Sequence, residues 1–143
     1  MATIATGGEM RGYLLTTTAA VALLSAMPAR AQNATWRFNP LTATYDFAVN
    51  WTPVAVPTGT AFFGATNTPN LTVLTSTTLG GWTFNAGAPA YTFTLSPIAA
   101  VRFVGAGIVN GGSATIFNND IVSFENSSTA GNATIINVLP TSI

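Results

Sequence analysis

Apolar residues along this chain come in runs of three to five that alternate with hydroxyl and amide side chains. Tyr91-Thr-Phe93-Thr-Leu95 alternates strictly, as does Val101-Arg102-Phe103, and Leu71-Thr-Val73 is a shorter example. A period of two is the mark of a strand with one face inward, and it places Arg102 on the outer face between two inward residues. Turn chemistry separates the runs: Asn67-Thr-Pro-Asn70, Ala86-Gly-Ala-Pro89, Ser96-Pro97, Gly105-Ala-Gly107, Asn110-Gly-Gly112 and Asn118-Asn-Asp120. No segment after Gln32 sustains a 3.6-residue period, so the chain reads as all-β.

One small pattern returns through the second half. It reads Trp82-Thr-Phe-Asn, Arg102-Phe-Val-Gly, Ala114-Thr-Ile-Phe-Asn and Ala133-Thr-Ile-Ile-Asn. The first two copies start 20 residues apart (102 − 82) and the last two 19 apart (133 − 114), with a shorter interval of 12 between the pairs (114 − 102). Strands this short, with Asn or Gly corners and a period near 20, predict a β-solenoid whose rungs pair backbone to backbone. Asn residues at equivalent corners should then form amide ladders. A β-sandwich also has many short strands, but the repeat and the small corners favour the solenoid.

The aromatic density is highest before the repeats. Trp36, Phe38, Tyr45, Phe47, Val49 and Trp51 alternate with other residues as strand faces do. A solenoid's first rung needs its interior and its edge covered, so residues 32–78 read as an aromatic cap and 79–143 as the repeats, which stop within the next rung. Exposed indoles stack on sugars, and Trp36, Trp51 and Trp82 are therefore candidate ligand-stacking residues as well as core candidates.

The first 31 residues have a different character. Met10-Arg-Gly is a short positive lead, Tyr13 to Leu24 is mainly apolar, and Ala29-Arg-Ala31 has the A-x-A form. That order is the pattern of a secretory signal peptide. It predicts a signal-peptide helix, a true start at Met10, cleavage after Ala31 and a mature chain from Gln32. The apolar run is shorter than the roughly 20 residues a spanning helix needs.

Composition narrows the function classes. Charged residues make up 6% of the chain and the net charge is zero; ordinary domains carry about 25% charged residues. There is no basic patch to neutralise phosphates, so nucleic acid is not an expected partner. The chain has neither Cys nor His, which removes disulfides, thiolate chemistry and the commonest general base and metal ligand. With no Lys either, its serines have no base to activate them, and no catalytic residue, metal site or cofactor is assigned. Asp120 and Glu125 are the only carboxylates of the repeats, and a paired-carboxylate polysaccharide hydrolase or lyase would have to use them. Gly111-Gly-Ser lacks the Asp of calcium-binding repeats. The five N-x-[ST] sequons, at Asn33, Asn50, Asn70, Asn126 and Asn132, read as products of Asn and Thr richness.

With these residues in view, the chain resembles the N-terminal passenger region of bacterial autotransporters. The matching pieces are Asn50-Trp-Thr-Pro53 with Val56-Pro-Thr-Gly-Thr-Ala-Phe62, Gly80-Gly-Trp-Thr-Phe-Asn-Ala-Gly-Ala88, Gly105-Ala-Gly-Ile-Val-Asn110 and Asn126-Ser-Ser-Thr-Ala-Gly-Asn-Ala-Thr-Ile135. The resemblance covers about Ala34 to Asn137. It implies a right-handed β-helix passenger, exported to a Gram-negative cell surface, outer membrane or medium. Such a passenger is carried by a C-terminal translocator barrel, and no barrel sequence follows here, so the chain reads as truncated. The expected function is structural or adhesin-like, with an unidentified glycan or protein ligand and end-to-end self-association through Ile135 and Ile136. The alternative is a small secreted carbohydrate-binding β-domain.

Overall fold

The computed structural model describes residues 31–138. They form ten strands: β1 (Ala34–Trp36), β2 (Trp51–Thr52), β3 (Thr60–Phe63), β4 (Asn70–Val73), β5 (Thr77–Phe84), β6 (Tyr91–Leu95), β7 (Val101–Asn110), β8 (Ala114–Asn118), β9 (Val122–Phe124) and β10 (Thr134–Asn137). A 3-10 turn at Ala48–Asn50 leads into β2. From β3 onward the chain gives alternate strands to two sheets, in the orders β2-β1-β3-β5-β7-β9 and β4-β6-β8-β10. Every neighbouring pair is parallel except β1 and β2. One strand per sheet per coil, stacked in parallel, is a β-solenoid. The expected signal-peptide helix lies outside the described residues.

The coil length varies because the corners differ. In the first sheet Ala34 pairs with Ala61, Ala61 with Trp82, Trp82 with Ile108, and Val101 with Val122, offsets of 27, 21, 26 and 21 residues. In the second sheet Leu71 pairs with Phe93, Phe93 with Ile116, and Ile116 with Ile135, offsets of 22, 23 and 19. The last two copies of the sequence pattern stack in the expected phase, Thr115 on Thr134. The first two do not, since Arg102 lies on Thr78 and Trp82 on Ile108. The interval of 12 between Arg102 and Ala114 is the crossing from one sheet to the other.

Two local expectations change for physical reasons. Gly105-Ala-Gly107 is no turn: β7 runs through it, and the register with β5 shifts between Leu79 and Gly81 to absorb two extra residues. Gly107 takes a φ of +76°, which its lack of a Cβ permits. The aromatic segment from Tyr45 to Asn50 is also not a strand. Asn50 ties it into a compact loop: its side chain accepts from the Thr42 N–H (3.1 Å) and donates to the Thr42 hydroxyl (2.9 Å) and the Thr44 carbonyl (2.7 Å). Phe38, Phe47 and Val49 consequently face solvent.

The core is a column of stacked side chains between the sheets. Phe63 lies on Phe84 with ring centres 4.9 Å apart, and Phe103 lies on Phe124 at 5.0 Å. Leu71, Phe93, Ile116 and Ile135 stack in the second sheet. The first coil is closed by the aromatic cap. Trp36, Trp51 and Tyr45 meet edge to face, and the Trp51 indole N–H donates to the Tyr45 carbonyl at 2.7 Å. The edge of β4 is covered as well, since Tyr45 N–H donates to Thr72 O and Thr72 N–H to Ala43 O, both at 2.9 Å. The boundary expected between residues 78 and 79 falls inside β5, and β3 and β4 already belong to the stack. The cap proper is the shorter stretch through Pro53.

Candidate functional site

The sequence-derived site residues sit as follows. Trp36, Trp51 and Trp82 are 2%, 0% and 0% exposed, so none offers a ring face on which a sugar could stack. Their indole N–H groups are satisfied inside, Trp36 by Thr68 O (3.2 Å) and Trp82 by the Tyr45 hydroxyl (3.3 Å). Of the cleavage-site residues, Ala29 lies outside the described residues. Ala31 and Gln32 are exposed, and Gln32 makes the fold's first backbone bonds: its carbonyl accepts from Thr58 and Gly59 (3.0 and 2.8 Å).

Asp120 and Glu125 flank β9, five positions apart along the chain. Glu125 holds Arg102 of the preceding coil, Oε1 to Nε, at 2.7 Å. Both side chains are partly solvated, so the pair contributes at most about 1 kcal/mol. Its partner was hidden because Arg102 and Glu125 are near only once the 21-residue register of β7 on β9 is known.

This ion pair lies in a cleft of about 380 Å³ on the outer face of the first sheet, lined by Ser76, Thr78, Arg102, Ile121, Ser123 and Glu125. Thr78, Arg102 and Ser123 form one outward row across three coils. The row offers hydroxyl hydrogen bonds and a neutralised carboxylate. Among the described residues no group of three or more Asp or Glu side chains converges.

Among the described residues, two titratable groups have displaced pKa values, and both are core tyrosines. Burial raises that of Tyr45, with the Trp82 hydrogen bond opposing and the Asp46 charge adding to the rise. Burial likewise raises that of Tyr91 to about 12, against a lowering contribution from Thr66. The Tyr91 hydroxyl donates to Gly64 O at 2.7 Å.

The other distinctive surface is the end of the last described coil. Val101, Phe103 and Ile116 are fully buried, whereas their stacking partners Val122, Phe124 and Ile135 are only partly covered. Among the described residues, β9 and β10 are the outermost strands of their sheets, and neither carries a charge. Corner amides continue to the last rung, where Asn118 Nδ2 donates to Asn137 Oδ1 at 2.9 Å. Comparison with family models, with curated proteins and with solved structures finds no match to this chain.

Proposed function

We propose that this chain is a non-catalytic, structural length of an exported solenoid, adhesin-like and displayed at a bacterial surface in the manner of an autotransporter passenger. The observation that carries this reading is the division of labour between inside and outside. Every tryptophan of the chain and the described tyrosines are used in the core, while the outward positions of β5 and β6 are Thr or Gly and those of β7 include Arg102, Val104 and Val109. That arrangement suits a spacer built by adding coils. The leader pattern before Gln32, and the anchoring of the fold from Gln32 onward, support export. The burial of Trp36, Trp51 and Trp82 speaks against the carbohydrate-stacking alternative, and the engagement of Glu125 by Arg102 speaks against the hydrolase alternative.

Expression of the full chain in a Gram-negative host, followed by fractionation and terminal mass analysis, tests the reading. The expected product begins at Gln32 and lies outside the cytoplasm. Cytoplasmic protein retaining Met1 or Met10 would refute export. Leu23→Arg should block processing, because a charge interrupts the apolar run. Turnover of a polysaccharide by the purified protein would refute the non-catalytic role.

A further inference from the structure

We propose that the cleft on the outer face of the first sheet binds a neutral glycan, a chain of sugars without phosphate, sulfate or carboxylate. The proposal deepens the adhesin-like reading and rests on it for the ligand's place at a cell surface. At about 380 Å³ the cleft has the size of a small-molecule site, for which roughly 300–1,000 Å³ is usual. Arg37 and Asp46 are occupied by the fold. Arg37 Nε donates to Trp51 O (3.0 Å), and the Asp46 carboxylate accepts from Leu74 N–H (2.6 Å) and the Thr75 hydroxyl (2.7 Å). Arg102 and Glu125 hold each other from neighbouring coils on the outer face. A pair half in water adds little stability, which leaves its polar groups available to a ligand.

The groups lining the cleft match a polyhydroxyl ligand. Thr78, Arg102 and Ser123 stand in one outward row, about 4.8 Å from coil to coil. Thr78 is exposed and Ser123 half-buried, and each hydroxyl both donates and accepts, as a sugar hydroxyl does. A guanidinium has five N–H donors, and a carboxylate gripped fork to fork takes two of them. Arg102, whose side chain is 55% exposed, therefore keeps donors for a ligand, and Glu125 keeps lone pairs. A vicinal diol fits this pair, one hydroxyl accepting from the guanidinium and its neighbour donating to the carboxylate. Ile121, exposed on the cleft wall, offers an apolar surface to the C–H face of a ring. The pair is neutral as a whole, so neither an anion nor a cation gains net attraction. These side chains stand perpendicular to the sheet, and a strand added beside β9 would lengthen the row without covering it.

Titration calorimetry of the purified full chain against short linear oligosaccharides tests the site. The probes are neutral glucans, mannans and N-acetylglucosamine oligomers, with oligogalacturonate as the anionic counterpart. A neutral member of the series should bind, with an affinity unchanged between low and high salt. Arg102→Leu should weaken it about tenfold or more and Thr78→Val less. Thr94→Val, at an exposed outward position of the second sheet, should leave it unchanged, and circular dichroism should show the same strand signal in all three. Glu125→Gln removes the carboxylate charge and frees Arg102. It should weaken the neutral ligand and raise the affinity for oligogalacturonate at low salt, a switch that a merely structural ion pair would not produce. Failure of every neutral glycan to bind would overturn the proposal. So would an equal loss in Thr94→Val, or tightest binding of the unsubstituted protein to oligogalacturonate. Export is read separately: a correctly processed protein that binds no glycan sinks this site alone, and a glycan-binding protein retained in the cytoplasm supports the site and sinks the display reading.

Discussion

The indole of Trp82 lies against the ring of Phe93, centres 4.1 Å apart and planes 24° apart, and joins the two sheets at the middle of the core. Trp82 comes from β5 and Phe93 from β6, so each half of one coil is held to the other by this contact. Phe63 and Phe103, from the coils on either side, meet the indole edge to face. Trp82→Ala should cost about 3–5 kcal/mol, because neighbours fixed by backbone ladders cannot collapse into the void. Phe93→Leu should cost less. Denaturant midpoints compared at constant slope measure both, and a Trp82→Ala loss below about 1 kcal/mol would show that the column relaxes freely.

Alkaline pH should unfold the protein through its tyrosines. Burial raises the pKa of Tyr91 to about 12 and that of Tyr45 further, while the unfolded phenols ionise near about 10. A folded-state pKa above the unfolded value means stability is fully present below pH about 10 and is lost as pH rises toward the folded value. Each group removes about 1.4 kcal/mol per pH unit in that window. Tyrosinate absorbance from these two residues should rise together with loss of the strand signal, and Tyr91→Phe should make the decline shallower. Ionisation of both at ordinary pH in the folded protein would contradict their burial.

Two glycines with positive φ separate backbone strain from steric exclusion. Gly87 has a φ of +80° and open space where a Cβ would stand. Gly87→Ala should therefore cost only the left-handed penalty, about 1–2 kcal/mol. Gly107 has a φ of +76°, and a Cβ there would collide with the backbone of Thr129 in the next coil. Gly107→Ala should cost clearly more than Gly87→Ala and selectively loosen the last coil. Hydrogen exchange of the Ile108 amide, which donates to Thr129 O at 2.7 Å, should accelerate in the Gly107 variant alone.

The solenoid was legible because its signal is local. Alternation in Tyr91–Leu95 and corner residues such as Asn118 depend on a few neighbours, and the Ala114 and Ala133 segments share nearly the same length of coil. The register of the earlier coils was not legible. The pairing of Trp82 with Ile108 rather than with the Arg102 segment depends on two extra residues absorbed inside β7. Turn chemistry at Gly105 and Gly107 looks the same whether the chain reverses or bulges. The burial of all three indoles could not be read from type and spacing, because an exposed stacking platform and a capped core call for the same aromatic residues. The Arg102–Glu125 contact follows from register and was inaccessible for that reason.

Asn50 is the polar centre of the cap, and its substitution should discriminate hydrogen bonding from packing. It is fully buried, and its amide holds the backbone of Thr42 and Thr44 and the Thr42 hydroxyl. A buried group of this kind is worth more in place than its net hydrogen-bond energy suggests, because its removal strands the partners without water. Asn50→Ala should cost about 2–4 kcal/mol, combining the stranded groups with a small void. Asn50→Asp keeps the shape but replaces the amide's N–H donors with a second carboxylate oxygen, which faces the Thr44 carbonyl. Asn50→Asp should therefore be destabilising at neutral pH and partly recover as pH falls through the carboxyl's raised folded-state pKa, since protonation restores a donor and removes the charge. Thermal melts of Asn50→Asp at neutral and acidic pH, referenced to the unsubstituted protein, read that recovery. An Asn50→Asp protein as stable as the parent at neutral pH would show that water reaches the cap.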